Sequence, residues 1–229
     1  MNRKNLKACL FDLDGTVLDS EPVYFESDRA FLARFGIDYD DEFNRRMVGR
    51  GVGEMFRVIE ERWPESPLNE VPWHERVRLK DRHYLDHARD RTRAFPAVVR
   101  LLDALEARGV PVAVASGSSP DVIDETLRHA GLRERFGIVV SASEVPRGKP
   151  EPDVFLEAAR RLGVAPADCL VFEDSRYGVL AAKAAGMACV GVPDPRHGPA
   201  APEFDRADMV FAEGPETLDP SLVMQTFFK

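Results

Sequence analysis

The feature that most constrains the fold is a repeated alternation between short apolar runs and helical segments. The runs are almost continuously apolar, which is typical of strands covered on both faces. They comprise residues 8–12, 110–115, 138–141, 169–173 and 188–192, with a weaker run at 209–211. Repetition of strand, helix and strand predicts an α/β fold with a Rossmann-like parallel sheet and helices on both of its faces.

Clear stop signals end the helical segments between these runs. Gly109, Gly131, Gly163 and Gly186 each follow one segment, and glycine is the usual left-handed residue just past a helix end. Proline opens three of the segments, where its missing N–H group costs no hydrogen bond. Helices are therefore predicted at residues 96–108, 120–130, 152–162 and 176–185.

Residues 19–91 differ from the rest because their pattern is helical and contains no convincing strand. Helices are predicted at residues 21–35, 53–62 and 74–91. Sheets of this kind bind ligands beyond the carboxyl ends of their strands. We therefore expect an α/β core of residues 1–18 and 92–229, with residues 19–91 forming a small helical cap over that edge. Hinges near residues 18–20 and 90–94 would let the cap close over a substrate.

Charge and composition limit the possible partners. The 229 residues include 31 basic and 39 acidic side chains, a formal net charge of −8. No overall positive field would attract nucleic acid or an anionic membrane, so neither is expected as a partner. No apolar run approaches the roughly 20 residues that span a bilayer. The three cysteines suit reduced core positions, so we expect a cytoplasmic protein, and nothing in the sequence demands more than a monomer.

Four acidic residues follow two of the predicted strands. Asp12 and Asp14 end the first run, where strand alternation points both side chains the same way, and Gly15 lets the backbone turn sharply. Glu173 and Asp174 end another run at the same edge of the sheet. Each pair alone suits a surface turn or a helix cap, but four carboxylates together suit a hard cation. Mg²⁺ is the expected cofactor, because the five histidines are scattered and zinc is disfavoured.

Two further segments suit an anion. Ser116 and Gly117 lead into a helix that begins at Pro120, so a hydroxyl and free backbone N–H groups would form a phosphate cradle. Ser119 is expected to cap the same helix. Lys149 lies between turn residues before another helix, and its charge would balance a nucleophile and a transferring phosphoryl group.

These residues form four short motifs that resemble one family in order and in spacing. The motifs are D-L-D-G-T at 12–16, S-G-S at 116–118, G-K-P-E-P at 148–152 and F-E-D-S at 172–175. The chain is similar over essentially its whole length to the haloacid dehalogenase-like superfamily, in the subgroup with a helical cap after the first strand. V-F-E-D-S-x-x-G-x-x-A-A-x-x-A-G-M at 171–187 looks closest to β-phosphoglucomutase-like and sugar-phosphate phosphatase members.

The resemblance implies a role for each motif residue. Asp12 would be the nucleophile that forms an aspartyl-phosphate, and Asp14 would protonate the leaving group and then activate water. The implied metal ligands are Asp12, Asp14 through its backbone carbonyl, Asp174, and Glu173 as a ligand or a neighbour of the ligands. The implied phosphate site consists of Thr16, Ser116, Gly117 and Lys149. The chain is therefore predicted to be a magnesium-dependent phosphatase of a small phosphorylated metabolite, with a sugar phosphate as the expected substrate.

The cap residues bear on the choice between a phosphatase and a mutase. Mutase members have a histidine where Tyr24 lies and an arginine where Val52 lies, so their absence favours water as the phosphoryl acceptor. A β-phosphoglucomutase-type transferase stays open, because Lys80 matches the cap lysine of mutases and Arg50 is a partial substitute for the arginine. Tyr24, Arg50 and Lys80 are the candidate contacts to the leaving group. Their alternative role is that of packing or solvated residues.

Asp14 bears on the remaining classes of protein. Dehalogenases and phosphonate hydrolases of this fold resemble the chain but lack or replace this second aspartate. A catalytically silent binding protein is a third class, because a fold does not fix a function. Loss of Asp12 or Asp14 would have supported that class, and both are present.

Overall fold

The computed structural model describes residues 6–47 and 51–228, in which six strands form one wholly parallel sheet. The strands are β1 (Ala8–Phe11), β2 (Val112–Ser116), β3 (Ile138–Ser141), β4 (Cys169–Glu173), β5 (Ala188–Gly191) and β6 (Met209–Val210). Their order across the sheet is β3-β2-β1-β4-β5-β6, so β1 lies between β2 and β4. The predicted parallel sheet is confirmed, and no strand end differs from its prediction by more than two residues.

The described residues also contain nine α-helices. They are α1 (Glu21–Ala33), α2 (Asp41–Met47), α3 (Val52–Arg62), α4 (Trp73–Ala88), α5 (Pro96–Glu106), α6 (Pro120–His129), α7 (Asp153–Leu162), α8 (Arg176–Ala184) and α9 (Pro220–Phe227). Short 3₁₀ helices lie at Pro67–Glu70, Arg133–Arg135, Ala142–Glu144, Pro166–Asp168, Pro195–His197, Pro202–Arg206 and Pro215–Thr217. Helices α5 to α8 are the four that the glycine signals predict, and α1, α3 and α4 are the three predicted between residues 19 and 91.

Helices α2 and α9 were not predicted from the sequence. Each begins at a carboxylate that accepts hydrogen bonds from free backbone N–H groups. Asp40 accepts one from the N–H of Phe43 at 2.7 Å, and Asp219 accepts two from the N–H groups of Ser221 and Leu222. Such caps stabilise a helix start locally, so short helices can form without a long apolar period.

Alternate side chains of the central strand enter two separate apolar layers. Cys9 and Phe11 face α5, α6 and α9, whereas Ala8 and Leu10 face α7 and α8. All four are fully buried, and the ring of Phe11 stacks on that of Phe172 with 4.7 Å between centroids. Complete burial of a Leu or Phe side chain stabilises the fold by about 1.5–3 kcal/mol. Packing on both faces therefore fixes the carboxyl end of β1.

Helices α1 to α4 form a helical insert, which is the part of residues 21–88 that the structure describes. The insert has its own apolar cluster, which includes Phe31, Phe43, Phe56 and Ile59. In agreement with the prediction, its described residues contain helices and no strand.

The chain enters and leaves the helical insert at one place. Leu18 and Ala94 pair in an antiparallel bridge. The N–H of Asp19 donates to the carbonyl of Arg93 at 2.8 Å. The two segments predicted as hinges therefore lie side by side at the end of the insert nearest the sheet.

The three cysteines are core residues, as predicted. Cys9, Cys169 and Cys189 are buried and form no disulfide. Burial raises the pKa of the Cys9 thiol, and it raises the pKa of Cys169 to about 11. Among the described residues, no helix combines the length and the apolar character that a membrane crossing requires.

Candidate active site

The carboxyl ends of three adjacent strands bring predicted site residues together. Because β2, β1 and β4 are neighbours, Ser116 at the end of β2, Asp12 after β1 and Glu173 at the end of β4 lie along one edge. Lys149 comes from the loop between β3 and α7 and reaches the same edge through its contact with Asp12. Parallel sheets bind ligands at this edge.

Lys149 bridges two buried carboxylates. Its Nζ donates a hydrogen bond to Oδ1 of Asp12 at 2.5 Å and another to Oε1 of Glu173. The side chains of Lys149, Asp12 and Glu173 are 7%, 9% and 0% exposed, so water does not screen these pairs. Burial acts to lower the pKa of Lys149, but the two carboxylates outweigh it and raise the pKa above its usual value. The lysine therefore supplies a fixed positive charge.

Glu173 is held at both of its carboxylate oxygens. Its Oε2 accepts from the backbone N–H of Ser175 at 2.7 Å and from the hydroxyl of Ser175 at 2.9 Å, while Lys149 binds Oε1. Gly178 leaves the space that this carboxylate occupies, because a Cβ there would lie 1.8 Å from the carboxyl carbon of Glu173. Ser175, the N-cap residue of α8, thus fixes Glu173, and Glu173 in turn positions Lys149.

Asp12, Glu173 and Asp174 form an acidic cluster that fits a divalent cation. One oxygen of each lies within 4.8 Å of the others. Burial, followed by the charges of Glu173 and Asp12, raises the pKa of Asp174. The ammonium of Lys149 binds only two of these three carboxylates, Asp12 and Glu173. An added cation would therefore relieve their repulsion, and carboxylate oxygens are ligands that Mg²⁺ prefers.

The backbone turn after β1 leaves room for Asp174. Gly15 has a φ of +76°, in the left-handed region, and a Cβ there would lie 2.2 Å from Oδ2 of Asp174. The hydroxyl of Thr16 donates to Oδ1 of Asp174 at 3.3 Å. Thr16 is 1% exposed, so in this structure it supports a carboxylate of the acidic cluster. Its predicted contact with a phosphate stays a prediction.

The carboxylate of Asp14 is held by hydroxyl groups. Oδ1 accepts from Ser20 at 2.9 Å, and Oδ2 accepts from Ser118 at 2.7 Å and from Ser116 at 3.4 Å. Burial raises the pKa of Asp14, although the Ser118 and Ser20 hydroxyls work against that shift. A raised pKa lets a carboxyl group carry a proton closer to neutral pH, as a general acid requires.

The turn after β2 differs from the prediction in the roles of two residues, Ser118 and Ser119. Ser116 is fully buried and its Oγ accepts from the N–H of Ser118 at 3.0 Å, while Gly117 lines a cavity. Ser119 occupies the N-cap position of α6, but its side chain makes no capping hydrogen bond. The predicted cap is therefore wrong in its side-chain role. Ser118, which was not among the predicted site residues, makes the shortest of these contacts with Asp14.

A cavity of about 450 Å³ lies between this edge and the helical insert. Its sheet side includes five of the predicted site residues: Asp12, Asp14, Gly117, Lys149 and Asp174. Its insert side includes two of the three predicted cap contacts, Tyr24 and Lys80. The third, Arg50, lies outside the described residues.

Tyr24 and Lys80 both have partners within the protein. The hydroxyl of Tyr24 lies 2.9 Å from Oγ of Ser118, and its ring stacks on Tyr84 with 3.7 Å between centroids. Lys80 forms an ion pair with Asp28 at 2.8 Å, and its Nζ lies 5.1 Å from the centroid of the Tyr24 ring. Tyr24 therefore connects the helical insert to the turn after β2. The sequence indicates Tyr24 and Lys80 as candidate contacts but indicates neither of these polar partners.

The chain is similar to known proteins over most of its length. The family model for haloacid dehalogenase-like hydrolases matches residues 6–186. The bifunctional riboflavin kinase/FMN phosphatase of Arabidopsis thaliana is 39% identical over 83% of this chain and 49% of that protein. Fructose-1-phosphate phosphatase YqaB of Escherichia coli is 36% identical over 80% of this chain and 94% of that protein. The crystal structure of CbbY from Rhodobacter sphaeroides in complex with phosphate has a TM-score of 0.83 and 25% identity, covering 93% of this chain and 96% of that one.

The extent of the family match includes every motif on which the resemblance depends. Residues 6–186 contain the motifs at 12–16, 116–118, 148–152 and 172–175. The same motifs supply the residues that meet at the edge of the sheet. The chain belongs to the haloacid dehalogenase-like hydrolase family.

Proposed function

We propose that the chain is a magnesium-dependent phosphatase that hydrolyses phosphoric monoesters of small metabolites. The position of Asp12 carries the proposal: it is a buried carboxylate at the sheet edge, bonded to Lys149 and lining the cavity. A carboxylate beside a fixed cation can attack phosphorus while the cation neutralises the transferring group. Asp14 lines the same cavity in surroundings rich in hydroxyl groups, which suits proton transfer.

The first step transfers the phosphoryl group to Asp12. A carboxylate oxygen of Asp12 forms a bond to phosphorus while the bond between phosphorus and the ester oxygen breaks. Asp14 gives its proton to that ester oxygen, so the leaving group departs as a neutral alcohol. Lys149 holds positive charge beside the phosphoryl oxygens during the transfer.

The second step hydrolyses the aspartyl-phosphate. A water molecule attacks phosphorus, Asp14 accepts a proton from the water, and the bond between phosphorus and Asp12 breaks. The products are inorganic phosphate, the free carboxylate of Asp12 and the protonated carboxyl of Asp14. The net reaction converts a monoester and water into an alcohol and phosphate.

The acidic cluster supports magnesium as the cofactor. Asp12 and Asp174 would hold the ion, with Glu173 beside them and the backbone carbonyl of Asp14 as a further ligand. When bound, Mg²⁺ neutralises charge on the transferring phosphoryl group. Burial, and then its acidic neighbours, raise the pKa of Asp174. A raised pKa is expected for a carboxylate of a metal site when no cation balances its charge.

The activities named for the relatives support a small phosphorylated metabolite as the substrate. One relative is named as an FMN phosphatase in part, and the other as a fructose-1-phosphate phosphatase. The cavity of about 450 Å³ suits a ligand of that size. We therefore propose a sugar phosphate as the substrate.

A β-phosphoglucomutase-type transferase is the second candidate, and it is favoured by the position of Lys80 at the cavity. A mutase must hold the second phosphate of its intermediate while that intermediate turns over. Asp28 already neutralises Lys80 at 2.8 Å, and Tyr24 is bonded to Ser118. These contacts favour water over a sugar as the acceptor.

The helical insert would act as a cap domain of residues 19–91, over a core of residues 1–18 and 92–229. Its two connections pair at Leu18 and Ala94, so a rotation about that point would open or close the cavity. Closure would exclude water during the first transfer and expose the intermediate to water afterwards.

A reversible disulfide tests this movement. Ala88 of the insert and Val122 of α6 belong to one buried apolar cluster, and a disulfide formed between cysteines at these two positions would fix the insert against the core. Turnover of the oxidised double variant should fall and should return on reduction. The two single-cysteine variants are the controls, and equal turnover in both redox states would contradict the movement.

Phosphate release tests the function itself. The panel comprises sugar phosphates, FMN and p-nitrophenyl phosphate, each with and without Mg²⁺. Release should require Mg²⁺ and should be lost in Asp12→Asn, while Asp205→Asn, at an exposed carboxylate outside the cavity lining, should retain it. Conversion of β-glucose 1-phosphate to glucose 6-phosphate without free phosphate would establish the mutase. Absence of magnesium-dependent release by the wild-type protein would contradict the phosphatase.

A further inference from the structure

The insert side of the cavity is acidic. Its described lining contains three carboxylates, from Glu21, Asp28 and Asp81, and one ammonium, from Lys80. When a phosphate occupies the sheet edge, the rest of the substrate must lie against this wall. The charge of the wall therefore selects which leaving groups can enter.

Lys80 is already committed to a carboxylate. Its Nζ lies 2.8 Å from Oδ1 of Asp28, and the two side chains are only 8% and 5% exposed. If Lys80 moved to bind a phosphate, it would leave Asp28 buried without a partner, which is strongly unfavourable. The pair therefore acts as a neutral unit that joins α4 to α1.

The remaining carboxylates make the described wall net negative. Glu21 begins α1, and its Oε2 lies 3.6 Å from Nε2 of His197. Asp81 follows Lys80 in α4 and lines the same wall. A second phosphate would meet Glu21 and Asp81, and among the described lining residues on this side no ammonium besides the paired Lys80 offsets them. Like charges placed together weaken binding.

The pair of Asp28 and Lys80 can still bind uncharged polar groups. An ammonium donates up to three hydrogen bonds, and a carboxylate accepts several, so one ion pair does not exhaust either group. Beside these charged groups the wall also has apolar parts. Its apolar lining residues on this side include Val52, Met55, Trp73 and Val77. Hydroxyl groups and C–H faces in alternation, as in a sugar or a sugar alcohol, match this combination.

We propose that the leaving group is an uncharged polyhydroxy compound, whose hydroxyls bind the pair of Asp28 and Lys80, and that the acidic wall rejects a second phosphate. The inference rests on the proposed function, because it assumes that the reacting phosphate lies at Asp12. It makes Asp28, Lys80 and Asp81 the residues that determine specificity. Monophosphates of sugars or sugar alcohols are then substrates, and bisphosphates of the same sugars are not.

Binding of two matched ligands tests the inference apart from turnover. The full chain with Asp12→Asn, which keeps the ligands intact, is titrated calorimetrically in Mg²⁺ with fructose 1-phosphate and with fructose 1,6-bisphosphate. Whichever phosphate of the bisphosphate enters the edge, the other faces the acidic wall. The monophosphate should bind at least about tenfold more tightly. Equal or tighter binding of the bisphosphate, or no binding of either sugar, would overturn the inference.

Variants of the wall assign the effect to its residues. For each variant, the affinities for the two sugars are measured on one preparation. A fraction of unfolded protein affects both measurements equally and does not change their ratio. Asp28→Asn frees Lys80 and should raise relative bisphosphate binding about tenfold. Asp81→Asn should raise it without disturbing the buried pair. Asp86→Asn, an exposed change in the same helix outside the cavity lining, should leave the ratio unchanged, and an equal response of all three variants would overturn the assignment.

A variant of Arg50 tests the alternative, in which the cavity holds a second phosphate. It is the cap arginine that the sequence offers as an alternative anion contact, and it lies outside the described residues. If the wild-type cavity prefers the bisphosphate and Arg50→Gln removes that preference, a second phosphate is held after all. Failure of wild-type protein to release phosphate from any ester would instead contradict the proposed function, whatever the affinity ratio is.

Discussion

The ammonium of Lys149 lies 2.5 Å from the carboxylate of Asp12, in a pair that is less than one-tenth exposed on either side. The same ammonium also binds Glu173, so one cation joins carboxylates at the ends of two neighbouring strands. Loss of one partner from a buried pair leaves an uncompensated charge. Lys149 should therefore matter for stability as well as for catalysis.

Lys149→Met should destabilise the protein. In the absence of Mg²⁺ the free energy of unfolding should fall by about 3–5 kcal/mol, because Asp12 and Glu173 would remain buried without their cation. Denaturant titration measures the change. Lys7→Met is the matched control, since Lys7 pairs with Asp168 at 65% and 34% exposure and such surface pairs contribute about 0–1 kcal/mol. Equal losses in the two variants would contradict the role of Lys149.

Gly178→Ala should disturb the position of Glu173. The added Cβ would lie 1.8 Å from the carboxyl carbon of Glu173, which must then shift and pull Lys149 with it. We expect a loss of about 1–3 kcal/mol in the free energy of unfolding, together with a loss of phosphate release. Gly53→Ala is the control for stability, because the nearest atom to its Cβ would be at an ordinary 3.6 Å. Wild-type stability of Gly178→Ala would show that Glu173 is not held as described.

Asp174→Asn should weaken the response to magnesium. The change removes one charge from the three carboxylates that lie within 4.8 Å of one another. The Mg²⁺ concentration for half-maximal phosphate release should rise at least about tenfold, and calorimetric titration with Mg²⁺ alone should show the same loss. Asp205→Asn, an exposed position outside the cavity lining, should titrate as wild type. An unchanged magnesium requirement in Asp174→Asn would argue against this cluster as the metal site.

The contact between His197 and Glu21 should make stability depend on pH. Contact with Glu21, whose Oε2 lies 3.6 Å from Nε2 of His197, raises the pKa of His197, and the charges of Glu21 and Asp194 add to this shift, although burial opposes it. The stabilising contribution is fully present below the unfolded pKa of about 6.5. It is lost as the pH rises through the higher folded value.

Thermal unfolding across this pH range measures the effect. The melting temperature should fall as the pH rises from slightly acidic to alkaline values, and His197→Gln should reduce that slope. His129→Gln, at an exposed position, should keep the wild-type slope. A steeper fall in His197→Gln than in the wild type would give the wrong sign for this contact.

The sheet could be predicted because its strands are apolar on both faces. The runs at Ile138–Ser141 and Cys169–Glu173 match their strands residue for residue. A strand that is buried on both faces consists of consecutive apolar residues, and such a run is visible in the sequence. Helices α2 and α9 depend on the capping carboxylates of Asp40 and Asp219, and their short lengths leave little apolar period to detect.

The sequence predicts the site residues that belong to short motifs at the ends of strands. It does not predict contacts between segments that are distant in the chain. Asp12 and Lys149 belong to such motifs, and the structure brings them into contact. Ser118 could have been found, because it lies in the same S-G-S motif as Ser116 and two residues beyond it. No local pattern joins Asp28 to Lys80, since the two residues belong to different helices, α1 and α4.

Covalent labelling shows whether Asp12 is the group that accepts the phosphoryl group. The wild-type protein is mixed with Mg²⁺ and the best substrate, quenched in acid during turnover, and digested for mass spectrometry. Phosphate is expected on the peptide that contains Asp12, and none on that peptide from Asp12→Asn. Rapid phosphate release with an unmodified Asp12 peptide, or phosphate bound to another residue, would contradict this role of Asp12.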